Sequence, residues 1–111
     1  MTYGNFVVAA EAQVAEKLVK DALAAGYSIS VHEGEDWAIR SSTDKDAIMR
    51  SMCSTGEDRL YFHGSNGKSV GWVWFIWNNG SVEEVFTDYV ANPIIERLVA
   101  GAEKLAAELS V

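Results

Sequence analysis

An α+β domain is the fold this sequence predicts, with an antiparallel sheet of about five strands. Its elements follow the order helix, strand, strand, helix, strand, strand, strand, helix. Three observations carry that expectation. Apolar residues recur at helical spacing near both ends, over residues 5–26 and 92–109. Between them lie short runs rich in Val, Ile, Phe, Tyr and Trp. Those runs are separated by Glu33-Gly34-Glu35, Asn66-Gly67 and Asn79-Gly80, residue types that favour tight turns.

The first helix has Asn5 as its expected N-cap and Gly26 as its stop. Val7, Val14, Leu18 and Ala25 form its stripe beside Val8, Ala15, Val19 and Ala22, and Glu11, Glu16, Lys17, Lys20 and Asp21 form its wet side. Residues 27–32 alternate Tyr, Ile and Val with Ser, Ser and His, as a half-buried strand does. Residues 37–40 read as its hairpin partner. A three-residue loop would set Val31 opposite Trp37 and Ile29 opposite Ile39, keeping the apolar residues on one face. Ser42-Thr43-Asp44 opens a second helix, with a capping box expected between Thr43 and Asp46. Ile48, Met49, Met52 and Cys53 form its apolar side, and it ends before Gly56.

Residues 60–63 read as a third strand, residues 69–77 as a tryptophan-rich fourth and residues 82–89 as a fifth. Asn92-Pro93 marks the start of the last helix, with Asn at the N-cap and Pro at the first helical position. Ile94, Ile95, Leu98, Val99, Ala102, Leu105, Ala106 and Leu109 give that helix its stripe.

Two-residue turns at the two Asn-Gly pairs set the expected registers. His63 then faces Val70, Tyr61 faces Trp72, and Arg59 faces Trp74. On the next pair Trp74 faces Val85 and Trp72 faces Thr87. Leu60, Phe62, Val73, Phe75, Trp77, Val82 and Phe86 share the core face, covered mainly by the long helices. Glu84 falls among them, opposite Phe75, and is out of place there. The other face carries Arg59, Tyr61, His63, Val70, Trp72, Trp74, Ile76, Val85 and Thr87. It is expected to be open or buried against another chain, because three short helices cover two faces only thinly.

The chain has 111 residues, room for one domain and one core, and its 49% hydrophobic content argues for a folded one. Nine basic residues against 16 acidic give a net charge of −7, which argues against direct binding to a nucleic-acid backbone. The first residues lack the basic region and apolar core of a signal peptide, and no apolar run is long enough to span a membrane. The expected setting is cytoplasmic.

No catalytic motif emerges. If the strands lie in sequence order, His32 and His63 sit about 10 Å apart, too far to share a metal ion. Cys53, the single cysteine, reads as a buried inert thiol. Glu33, Glu35 and Asp36 read as a solvated turn. Residues 64–69 superficially resemble a phosphate loop but run into a strand instead of a helix N-terminus. No enzyme activity, cofactor or metal is expected.

Trp, Tyr and Arg dominate binding hot spots. The expected partner-binding set is therefore Arg59, Tyr61, His63, Trp72, Trp74 and Ile76. Glu33, Glu35 and Asp36 would steer towards a basic partner. The expected function is a small acidic protein-binding regulator or inhibitor, forming a homodimer through the same face. The alternatives are a structural or chaperone-like homodimer, and a small-ligand-binding protein or enzyme with a pocket near His63. In element content the chain is similar to small acidic secretion chaperones, although the order of elements differs. In size and charge it resembles the acidic accessory proteins of phages and mobile elements, including inhibitors of host defence.

Replacing Phe75 with Ala should cost about 3–5 kcal/mol in urea unfolding. A loss under about 1 kcal/mol would remove Phe75 from the core.

Overall fold

The structure, a computed structural model, describes residues 3–110. Its elements are α1 (Ala9–Ala24), β1 (Ser28–His32), β2 (Trp37–Ser42), α2 (Lys45–Ser51), β3 (Glu57–His63), β4 (Ser69–Ile76), a 3₁₀ turn (Val82–Val85), β5 (Phe86–Tyr89) and α3 (Pro93–Leu109). The fold is α+β with the expected order of helices and strands. All five strands form one antiparallel sheet in the spatial order β2-β1-β3-β4-β5.

Alternation decides which side of that sheet is buried. Ile29, Val31, Leu60, Phe62, Val73 and Phe75 expose no surface. They share one cluster with Leu18 and Val19 of α1, Ile48 and Met49 of α2, and Ile95 and Val99 of α3. All three helices therefore cover the same side. Val82 and Phe86 pack at its margin.

The local rules hold best at α3. Asn92 accepts the Ile95 amide at 2.9 Å through its side chain, and Pro93 follows. The Asn92 amide also donates to the Val70 carbonyl at 3.0 Å. A side chain at Gly71 would run into Ile95 and Val90, so a glycine lets α3 lie directly on β4.

Elsewhere the local expectations shift. α1 begins after Val8, which makes no side-chain cap, while Asn5 donates to the Met49 and Met52 carbonyls at the end of α2. Asp44 caps α2 by accepting the Ala47 amide, and Asp46 instead accepts the Tyr3 hydroxyl at 2.7 Å. Cys53 lies beyond α2, half-buried, in a left-handed conformation (φ 60°).

The β3–β4 register matches expectation at Arg59–Trp74, Leu60–Val73 and Tyr61–Trp72. A bulge around Val70 then pairs His63 with Ser69, and Val70 packs against the core cluster. The β1–β2 loop has four residues, so His32 pairs with Trp37, and irregularities set Val31 opposite Ile39 and Ile29 opposite Ser42. Ser41, at φ 45°, takes up part of the offset.

The largest correction follows Asn79-Gly80. Trp74 pairs with Asp88 and Phe75 with Phe86, while the 3₁₀ turn makes Val85 a buried core residue and Thr87 is exposed. A strand starting at residue 82 would have pushed the Glu84 carboxylate into the core. The turn leaves it exposed, which avoids the cost of burying an unpaired charge.

Two acids are nevertheless enclosed. Asp58 is 0% exposed, and its Oδ2 accepts the Cys53 amide at 2.8 Å and the Trp77 indole N–H at 2.6 Å. Its Oδ1 has no partner. Trp77 stacks on Phe75 at 4.9 Å and takes Phe6 edge-on at 5.1 Å. Glu11, also buried, accepts the Asn78 amide. Burial pushes Asp58 up to about 6 against the weaker pull of its two donors, and burial raises Glu11 as well.

A folded-state value above the unfolded one means the native state binds the proton first. Stability linked to Asp58 should rise as pH falls from about 7.5 to about 4.5, by about 2 kcal/mol. Urea unfolding across that range should show the gain in wild type and a smaller one in Asp58→Asn, which keeps the contribution of Glu11. Parallel pH profiles for the two proteins would refute it.

Candidate functional site: the open face of the sheet

No described helix covers the second side of the sheet. Register partners carry one row of side chains across all five strands: Trp37, His32, Arg59, Trp74 and Asp88. The next row is Ser30, Tyr61 and Trp72. Glu57 and Ile76 pair at one end of the face, and Ser28 and His63 at the other.

These side chains pack on one another. The Trp37 ring meets His32 edge-on at 5.0 Å and Tyr61 at 5.2 Å, with the Arg40 guanidinium 5.3 Å from its centroid. Trp37 is 38% exposed, the most exposed aromatic of the face. The Arg59 guanidinium lies 4.6 Å from the Trp74 centroid and 5.8 Å from that of Trp72, within cation–π range of both. Arg59 Nε and Trp74 Nε1 are shut off from solvent with no acceptor in reach. Each such orphan donor costs about 1–3 kcal/mol. The centre of the face thus gives up stability to hold a cation against two indoles.

Ser30 organises the far end. Its buried Oγ accepts the Ser41 amide at 2.8 Å and lies 3.0 Å from His63 Nε2. When the hydroxyl proton goes to Nε2, the His63 proton sits on Nδ1, which is then a free donor.

Arg59, Tyr61, Trp72 and Trp74 come together as the sequence suggests, with His63 and Ile76 towards opposite ends. His32 and His63 stand on neighbouring strands, because β1 inserts beside β3, but four residues apart along them. Among the described residues, no group of three or more His, Cys, Asp or Glu is placed to hold a metal ion. The Glu33 carboxylate accepts the Glu35 and Asp36 amides, and Asp36 accepts the Trp37 amide. Glu35 is exposed, and its carboxylate takes no part in these bonds. A cavity of about 170 Å³ lies among His32, Gly34, Glu57, Arg59 and Tyr61, and His63 does not line it.

Trp37, Arg40, Ser30 and Asp88 join the face without having been expected there, and His32 joins it beside Arg59. The signal for the β1 and β2 residues was the strand order, and Asp88 arrives through the shifted β4–β5 register.

No protein-family model, curated protein or solved structure matches the chain.

Replacing Arg59 with Met removes the orphaned Nε while keeping a flexible apolar stem over Trp74. Urea unfolding should show unchanged stability or a gain of up to about 1–2 kcal/mol. A loss above about 2 kcal/mol would make Arg59 a structural residue instead.

Proposed function

We propose that this chain is a small protein-binding module, a regulator or inhibitor that works by laying its open sheet face on a partner's surface. The observation carrying this reading is the Arg59 guanidinium held over Trp74 and Trp72 inside an aromatic row that no described helix covers. Planar, rigid side chains of these types bury much area at low entropic cost.

Charge favours the same surface. Arg40, Arg59, Glu57 and Asp88 leave the face formally neutral, so the net charge of −7 lies on the rest of the molecule. The surrounding carboxylates, Glu35 foremost, would speed encounter with a basic partner without being buried in the contact. The cavity beside Arg59 is smaller than the roughly 300 Å³ at which small-molecule sites begin, and the hollow of about 320 Å³ next to it, among Glu33, Gly34, Glu35 and Thr55, is shallow and walled by turn residues. That weighs against the small-ligand reading, and we infer a non-catalytic role.

Affinity capture from the native cell, with wild type beside Arg59→Ala and Trp74→Ala, should retain a partner that both variants lose. Titration of that purified partner should show each substitution weakening binding by about 30-fold or more. Neutralising Glu33, Glu35 and Asp36 together should slow association several-fold at low salt and leave dissociation unchanged. A partner that binds both face variants as tightly as wild type would end this reading.

A further inference from the structure

We propose that the open face also pairs with a second copy of this chain, about a two-fold axis lying across the strands at the level of Leu60. The inference rests on the reading of this face as an interface and goes further by naming an occupant and its alignment.

An acidic protein meets itself against like-charge repulsion. The open face, with Arg40 and Arg59 balanced by Glu57 and Asp88, is where two copies approach without stacking their excess of carboxylates. The strand register then limits how the two copies can align. A two-fold interface is self-complementary: if residue i touches residue j, then j touches i. An axis across the strands lays each strand over its own copy in reverse and exchanges the levels above and below Leu60. Trp74 then meets Trp72 of the second copy, and Arg59 meets Tyr61. Glu57 meets His63, and Trp37 on β2 meets Arg40. Each opposition is favourable: indole on indole, guanidinium on a phenol ring, carboxylate on an imidazole donor, and indole under a guanidinium. Ser30 holds the ring in place for the third of these through its 3.0 Å contact with Nε2, and Nδ1 is the donor in the tautomer whose Nε2 accepts from Ser30.

Axes along the strands fail this test. One over β3 sets Arg59 against its own copy. One between β3 and β4 opposes Arg59 to Trp74, but sets Glu57 against Ile76 and leaves Trp37, at 38% exposure, outside the contact. The axis across the strands brings Trp37 and Arg40 of β2 into the contact beside the residues of β3 and β4.

At strand spacings of about 4.8 Å and level spacings of about 6.8 Å, the face covers about 500 Å² per copy. The total of about 1,000 Å² sits at the lower end of specific interfaces, so a dissociation constant in the micromolar range is expected.

Sedimentation from about 5 to about 500 µM should show wild type passing from monomer to dimer. Glu57→Lys and His63→Glu should each weaken the dimer about tenfold or more, and the double variant should recover to within about threefold of wild type. Circular dichroism should be unchanged throughout. Three results would overturn the proposal: a wild type that stays monomeric, a double variant that stays weak, or rescue within the pair His32→Asp and Asp88→His, which the axis between β3 and β4 would require. A monomeric wild type whose captured partner is still lost on Trp74→Ala would refute the dimer alone and leave the partner-binding reading standing.

Discussion

A sheet five strands wide has two faces, and here the helices are committed to one of them by the contact between α3 and β4. Gly71 has no side chain to hold Ile95 away, and Asn92 ties the start of α3 to the Val70 carbonyl while capping the helix with its other atom. With α3 seated there, α1 packs beside it and α2 closes the cluster over β1. No described helix remains for the other side. The aromatic row of Trp37, His32, Arg59 and Trp74 is therefore a consequence of how the core is closed.

One end of the open face, beside Glu57 and Ile76, is held by groups on the core side. Asp58 and Arg59 are consecutive in β3 and point to opposite faces, so the bonds that fix one orient the other. Asp58 fastens the chain after α2 through the Cys53 amide and fastens Trp77 through its indole N–H. Glu11 reaches from α1 to the Asn78 amide one residue further on. Together these bonds hold the loops flanking Glu57 and Ile76 at one end of the open face. A buried carboxylate is an expensive fastener near neutral pH, and the missing partner at Oδ1 shows that the site is not optimised for stability.

The parts of this architecture legible in the sequence are those governed by local chemistry. Asn92-Pro93 starts a helix for reasons contained in two residues. The expected pairs Tyr61–Trp72 and Arg59–Trp74 form because a five-residue loop over residues 64–68 and the bulge at Val70 offset each other. Registers failed where a long-range requirement overrode the turn rule. After Asn79-Gly80 the need to keep Glu84 out of the core replaced the first half of an expected strand with a 3₁₀ turn. Beside β1 the edge strand accommodated its irregularities because one of its sides is unpaired, and the apolar pairing used to choose a loop length moved with them. The site was half visible for the same reason. Arg59, Tyr61, Trp72 and Trp74 lie on a hairpin and can be placed by counting, whereas His32 and Trp37 reach the face only because β1 lies between β2 and β3.

Net charge and local charge point in different directions here, and the local value governs contact. At a Debye length of about 8 Å under physiological salt, carboxylates around the rim influence approach, while groups in contact respond mainly to what lies within a few ångströms. Around Arg59 that environment is two indoles, a phenol ring on the neighbouring position and no bonded acceptor for its Nε. An arginine in such a place is weakly hydrated already, so covering it costs less than covering a solvated lysine, and its planar group stacks on whatever ring arrives. The outlying acids and the central cation thus perform separate tasks. On the proposed reading, the acids would set how fast a partner arrives, and the stacked Arg59 with its tryptophans how long it stays.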